Sequence, residues 1–139
     1  MTKTAPVSFK SINARQAGET PYEFEFILPN GKPTGIVLQI LGSQSKTVTD
    51  EVNRLMNSRR QQEAIEKAAA AAGGPKAPAF TTVESDIEFG QRITAVRLVG
   101  WNFTEPCTPE NALEFLSVNS DIAAAVAEKS GDLANFMSF

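Results

Sequence analysis

Apolar and polar residues alternate most regularly near the start of the chain. Apolar side chains occupy positions 22, 24, 26 and 28, a period of two that is typical of a strand with one buried face. The next five residues are Pro29-Asn30-Gly31-Lys32-Pro33, and Asn-Gly between two apolar runs is the strongest short-range hairpin signal. A second apolar run covers residues 35–41 and ends at Gly42. We therefore expect a β-hairpin over residues 21–42, whose apolar face needs a cover because two strands alone are marginally stable in water.

A helical period that begins near Thr47 predicts this cover. Thr47 and Asp50 have the spacing of a capping box, with Asp in place of Glu. Apolar side chains at positions 48, 52, 55 and 56 form one stripe, after which Ile65 is the only large apolar residue before the alanines of positions 68–72. We expect a helix over residues 47–72, about 39 Å long at a rise of 1.5 Å per residue. Its first turns pack on the hairpin, and the remainder projects as a solvated arm.

Gly73-Gly74-Pro75 stops this helix, and residues 73–80 have the composition of a linker. The linker separates an N-terminal region (residues 1–72) from a C-terminal helical region (residues 81–139), which together form one compact unit or two small lobes. Residues 1–20 are polar with isolated apolar positions, so we expect a lightly tethered arm there.

The C-terminal region contains three apolar segments. Residues 81–99 fit a helix imperfectly, with Phe89 and Leu98 off the main apolar line, and the β-branched run 93–96 leaves a strand over residues 92–99 open. We favour a helix. Thr108 is a good N-cap before Pro109 and Glu110, and residues 119–121 cap a further helix that ends at Gly131. The sequence thus predicts an α+β fold, in which an N-terminal β-hairpin packed on a long helix precedes a small C-terminal helical half.

Composition narrows the classes of function. The chain has 139 residues, the size of one ordinary domain, and a net charge of −3, which argues against a nucleic-acid partner. No apolar run reaches the ~20 residues of a membrane span, and a single cysteine cannot form an internal disulfide. Histidine, the commonest general base and metal ligand, is absent. We expect a cytoplasmic protein without cofactor or metal.

Cys107 and the acidic residues of positions 84–88 can each be interpreted either as a reactive or metal-binding site or as ordinary structure. Cys107 precedes a helix N-terminus, where a thiol pKa can be lowered, but no histidine or glycine-rich elbow accompanies it, so we favour a half-buried structural side chain. Glu84, Asp86 and Glu88 occupy alternate positions and cannot share a helix face, so we expect a solvated surface. No phosphate-binding loop is present in the sequence.

Aromatic and apolar residues of the last forty positions are the best candidates for contacting a partner. Trp101 and Phe115 suit a core, whereas aromatic side chains at a chain terminus are typical of recognition segments. The candidate partner-binding residues are Trp101, Leu113, Leu116, Asn135, Phe136 and Phe139.

An ordered set of short motifs adds a family resemblance. Residues 30–35 match D/N-G-x-x-x-G, and residues 41–45 match L-G-x-x-S before a long charged helix. Gly100-Trp101, then Thr108-Pro109-Glu110-Asn111-Ala112, and finally Asn135-Phe136 follow in order. Together these motifs resemble the tail assembly chaperones, and chaperone-like minor tail proteins, of long-tailed bacteriophages and prophages.

The resemblance implies a non-enzymatic role in virion morphogenesis. Such proteins bind the tape-measure protein in the host bacterial cytoplasm, keep it soluble, help to recruit tail-tube protein, and are absent from the mature virion. The net charge and the absence of a long apolar run argue against a nucleic-acid or membrane partner, and a weak homo-oligomer is compatible with the resemblance. Three alternatives remain: a structural minor tail or other virion-associated protein, a small enzyme that depends on Cys107, and an unrelated adaptor domain that shares only composition.

Overall fold

The computed structural model describes residues 8–73 and 82–137. The helices are α1 (Ala14–Ala17), α2 (Lys46–Ala71), α3 (Val83–Ala95), α4 (Pro109–Ser117) and α5 (Ser120–Gly131). The strands are β1 (Tyr22–Ile27), β2 (Pro33–Ile40) and β3 (Leu98–Trp101). Single 3-10 turns lie at Phe9–Ser11 and Leu133–Asn135.

The predicted hairpin is present and forms part of a three-stranded antiparallel sheet with the order β1-β2-β3. Gly31 adopts φ +84° in the connection, a conformation that an L side chain would strain. Along β1 the even-numbered residues are buried or half-buried and the odd-numbered residues are exposed, as the alternation predicted. The predicted face is therefore the buried one.

The preference for a helix throughout residues 92–99 is wrong for the end of that segment. Helix α3 ends at Ala95, and β3 begins at Leu98 and pairs with β2. Asn102 extends this pairing, because its amide oxygen accepts from the backbone N–H of Val37 at 3.0 Å and its amide nitrogen donates to the Gly35 carbonyl at 2.8 Å. This partner lies more than 60 residues away in sequence, so local periodicity could not reveal it.

The C-terminal helices, rather than α2, cover the apolar face of the hairpin. Phe24, Leu38 and Ile40 of the sheet share one hydrophobic cluster with buried residues of α3, β3, α4 and α5, namely Ala95, Leu98, Ala112, Leu116, Ile122 and Val126. Among the described residues, none from α2 belongs to this cluster. The α+β class is confirmed, and residues from both sides of the predicted linker contribute to the same core.

Helix α2 begins at Lys46, one residue earlier than predicted, and Thr47 is not its N-cap. Ser45 is its N-cap and accepts from the backbone N–H of Val48 at 3.2 Å. Thr47 lies inside the first turn, where its N–H and hydroxyl each donate to the Glu19 carboxylate at 2.7 Å. The backbone N–H of Gly42 also donates to the Gly18 carbonyl at 2.9 Å. The end of the N-terminal arm, at Gly18 and Glu19, is therefore held against the start of α2 and the loop before it.

The remaining helix boundaries agree closely with the sequence. Helix α2 ends at Ala71, followed by Gly73 at φ +75°, and residues 74–80 of the predicted linker lie outside the described residues. Thr108 caps α4 by accepting from the N–H of Asn111 at 3.2 Å. Helix α5 ends at Gly131. None of the helices within the described residues is both long and apolar enough to cross a membrane.

Candidate partner-binding surface

Trp101, Phe103 and Phe115 form an aromatic cluster between the end of β3 and α4. The three rings meet edge to face, with centroids separated by 5.0–5.6 Å. The indole N–H of Trp101 donates to the Glu105 carbonyl at 2.7 Å, which fixes the ring over the loop. All three side chains are half-buried and pack on the core. Trp101 is therefore part of the fold and is half-buried against the core.

The two candidate leucines of α4 lie in and beside the core. Leu116 is completely buried in the hydrophobic cluster, and Leu113 is half-buried against it. Leu116 consequently offers no surface to a partner.

The described part of the C-terminal segment packs on the protein's own sheet. The Phe136 ring meets the Tyr22 ring edge to face at 6.0 Å. The side-chain amide of Asn135 donates to the Lys129 carbonyl at 2.9 Å. Phe139 lies outside the described residues. Asn135 and Phe136 thus contribute to the fold by closing the end of the sheet.

A groove lies between α2 and α3. Along α2 it is lined at positions 47, 50, 51, 54, 55, 58, 59 and 62, which are spaced three and four apart and therefore form one continuous face. The opposing face consists of positions 85, 88, 89, 92 and 95 of α3 and of Val96, which directly follows the helix. The proximal part, beside β3 and the start of α4, measures about 840 Å³, and the distal part about 460 Å³. Arg54, Leu55 and Arg92 line both parts and make them continuous.

The proximal part of the groove has an apolar floor, whereas charged and polar side chains make up most of the distal lining. Leu55, Leu98 and Val99 line the proximal part together with Ala95 and Val96, and Val99 is 42% exposed. At the distal part, Arg59 pairs with Asp86 and lies 4.6 Å above the Phe89 ring. Close backbone packing joins α3, α4 and α5 to one another, and within the described chain α2 has no comparably extensive backbone packing against them. The groove is the space that this separation leaves.

The groove was not predicted from the sequence, although the sequence contains one indication of it. Phe89 and Leu98 did not fit the apolar line of a single helix, and each has its own role in the structure. Leu98 contributes to both core and groove floor, while Phe89 supports the guanidinium of Arg59. The hydrophilic positions of α2 that line the groove gave no comparable signal, because a polar helix face ordinarily indicates solvent.

Cys107 lies in the proximal groove but is not activated. Its Sγ donates to the Leu98 carbonyl at 3.7 Å, and burial raises the pKa of the thiol above its ordinary value. The neutral thiol is therefore favoured at neutral pH, which is opposite to what a nucleophile needs.

Two of the three carboxylates of α3 are paired with arginines. Asp86 pairs with Arg59, and Glu88 accepts from Arg92 at 3.1 Å. No group of three or more histidine, cysteine, aspartate or glutamate side chains suited to a metal ion occurs within residues 8–73 and 82–137. The surface thus offers apolar contact and charge recognition. Compared with protein-family models, characterised proteins and solved structures, the chain has no match.

Proposed function

We propose that this protein is a non-enzymatic phage tail assembly chaperone that binds the tape-measure protein and helps to recruit tail-tube subunits during tail morphogenesis. The ordered motifs between Asn30 and Phe136 suggest this class. The observation that carries the proposal is the open groove between α2 and α3, because its shape and composition suit a helical client.

The dimensions of the groove fit a segment of α-helix. Its lining on α2 runs from Thr47 to Gln62, which corresponds to about 22 Å, or four helical turns, at a rise of 1.5 Å per residue. An apolar floor between polar rims is the arrangement in which amphipathic helices bind, with the apolar face of the helix on the floor. Tape-measure proteins, in the family that the motifs resemble, are long and mostly helical, so such segments recur along them.

Repeated weak binding gives the groove a chaperone mechanism. A single copy covers about four turns of client helix, so a long client needs many copies to keep its apolar stripes away from water. Each short contact is individually weak, and copies can leave one by one as tail-tube subunits assemble around the client. The neutral Cys107 thiol adds support for a binding role over a catalytic one.

Co-expression with the tape-measure protein encoded nearest to this gene tests the proposal. We expect the soluble fraction of the client to rise with the wild-type chain and to fall back with Leu55→Glu or Val99→Glu, which place a carboxylate on the groove floor. Met56→Glu is the matched control, because Met56 lies on the same helix, is 41% exposed and does not line the groove. Thermal unfolding of each variant verifies that it remains folded.

Two outcomes contradict the proposal. One is an unchanged client solubility with the wild-type chain. The other is recovery of the chain in purified particles at the copy number of a structural component, detected by mass spectrometry, which would favour a minor tail protein.

A further inference from the structure

We infer that the outer edge of β1, the edge that does not face β2, binds an extended segment of another protein with basic side chains at alternate positions. The segment extends the three-stranded sheet by one strand. The β1 edge lies apart from the groove, because β1 and β3 are at opposite edges of the sheet and the groove adjoins β3. Binding at the β1 edge is therefore independent of the proposed function.

Alternate residues of β1 direct their backbone groups away from the rest of the sheet. Val37 of β2 faces β3, since its N–H donates to the Asn102 side chain at 3.0 Å and its carbonyl accepts from the Asn102 N–H at 3.2 Å. The partner of Val37 on β1 is Glu25, so the N–H and carbonyl of Glu25 point outward. Because these directions alternate along a strand, the backbone groups of Glu23 and Ile27 also point outward.

This outward row of backbone groups is open. Among residues 8–73 and 82–137, no hydrogen-bond partner meets the outward N–H and carbonyl groups of Glu23, Glu25 and Ile27. Pro21 and Pro29, which have no N–H, flank the row on either side. The β1 edge therefore offers donors and acceptors at alternate positions over residues 22–28, which is the pattern that an added strand requires.

The exposed face of the β1 edge is acidic. Glu23 and Glu25 are exposed, and neither carboxylate forms an ion pair within the described part of the chain. Glu25 accepts from the Gly35 N–H at the long distance of 3.5 Å. Ile27, the third side chain of this face, is 47% exposed. These two carboxylates therefore remain available to a partner.

An added strand places its side chains directly opposite those of β1, with Cβ atoms about 5 Å apart. Lysine or arginine opposite Glu23 and Glu25 would supply the positive charges that the described chain does not. An apolar residue opposite Ile27 would cover its exposed side chain. The complementary segment is thus basic at two alternate positions and apolar at the next.

The same charges disfavour a second copy of this chain. A two-fold dimer through the β1 edge would pair two β1 strands antiparallel. The register that joins all three outward positions sets the two Glu25 side chains opposite each other, and a neighbouring register sets Glu23 opposite Glu25. Like charges directly opposite each other destabilise a sheet. The acidic edge therefore resists pairing with itself and accepts a basic strand.

Two synthetic peptides of about seven residues test this inference. One face of each peptide has valine and threonine, and the other face has lysines in the first peptide and glutamates in the second. NMR of isotope-labelled protein should show the lysine peptide shifting the amide signals of Glu23, Glu25 and Ile27 and slowing their hydrogen exchange. The lysine peptide should bind at least about fivefold more tightly, because its cross-strand charge pairs are attractive and those of the glutamate peptide are repulsive. The difference should shrink in about 0.5 M NaCl.

Methylation of the peptide backbone shows whether binding occurs by strand addition. Two versions of the lysine peptide carry N-methyl groups on alternate amides, one on the odd set and the other on the even set. Only one set of amides in a paired strand faces its neighbour. One version should therefore lose binding, and the other should keep it.

Charge reversal in the protein tests the role of the two carboxylates. Glu23→Lys with Glu25→Lys should reverse the preference, so that the glutamate peptide binds more tightly. Glu84→Lys with Glu114→Lys is the matched control, because both residues are exposed, lie on α3 and α4 and give the same change in net charge. This control should keep the preference for the lysine peptide. Thermal unfolding verifies that both variants remain folded.

Equal affinities for the two peptides, equal effects of the two methylated versions, or no binding of either peptide would each overturn the inference. So would self-association of the chain that protects the amides of Glu23 and Glu25, since a second copy would then be the occupant. Protection of these amides in the isolated monomer would show that the chain itself covers the edge, with the same consequence. None of these outcomes bears on the chaperone proposal, which the groove-floor variants test separately.

Discussion

Replacing Phe136 with alanine tests whether the C-terminal segment belongs to the fold or to the partner surface. Replacing a fully buried phenylalanine with alanine lowers the free energy of unfolding by ~3–5 kcal/mol. Because Phe136 is half-buried, we expect a loss of about 2 kcal/mol. Its edge-to-face contact with Tyr22 is part of that loss. The cost arises within the protein itself, so it should appear without any client present.

Calorimetry or circular dichroism measures this cost directly. A chain of 139 residues gains roughly 0.3 kcal/mol per kelvin of unfolding entropy, so a loss of about 2 kcal/mol lowers Tm by about 7 °C. Leu133→Ala is the control, because Leu133 lies in the same segment but is 40% exposed, and it should cost less than about 1 kcal/mol. If Phe136→Ala leaves Tm unchanged and instead abolishes client binding, Phe136 is a partner contact and the reasoning is refuted.

Three further predictions concern polar contacts and the thiol. Hydrogen bonds from Thr47 hold the pKa of Glu19 below its ordinary value of 4.5, so their contribution to stability is present above that pH and is lost as pH falls through the lowered pKa. Urea unfolding should show that Glu19→Gln lowers the free energy of unfolding by about 0.5–1 kcal/mol at pH 7. The free energy of unfolding of this variant should also fall less steeply than that of the wild type as the pH is lowered, and an unchanged pH dependence would contradict the prediction. Asn102→Ala should lower the free energy of unfolding by about 1–3 kcal/mol, because it leaves backbone groups of β2 unpaired. A change within experimental error would show that solvent replaces the side-chain amide. Cys107 should react with iodoacetamide at pH 7 more slowly than free cysteine, because burial raises the pKa of its thiol. Mass spectrometry of the alkylated protein measures this rate, and a faster reaction would favour the enzyme alternative.

Elements with local determinants were predictable from the sequence. The hairpin follows from the alternation along β1 and the Asn30-Gly31 turn, since both act within a few residues. The start of α4 follows similarly from two residues. Thr108 accepts a hydrogen bond from an N–H group of the first turn, and Pro109 has no backbone N–H group that would be left unpaired. These signals required no knowledge of the remaining chain.

Features that depend on distant partners were not predictable in the same way. A stripe at Val48, Val52 and Leu55 predicts that α2 buries one face, but it does not say against what, and α4 and α5 fill the place beside the hairpin. The strand β3 forms because it can pair with the open edge of β2, whereas its own sequence suits either a helix or a strand. The groove follows from where α2 lies relative to α3, which no residue of either helix specifies alone.

The separation of α2 from the core links these observations to function. Val48 is its only buried side chain, and Val52 and Leu55 are half-buried. Its position otherwise depends on the Ser45 cap, the Glu19 contacts, ion pairs along its surface and the contacts of Arg59 with α3, and each such polar contact contributes about 1 kcal/mol or less. A helix held in this way can adjust to a client without disturbing the sheet and the C-terminal helices. For the same reason, a carboxylate placed on Leu55 should affect binding far more than global stability. This division of roles makes the groove variants informative about function, since failure of a variant to bind would not simply report failure to fold.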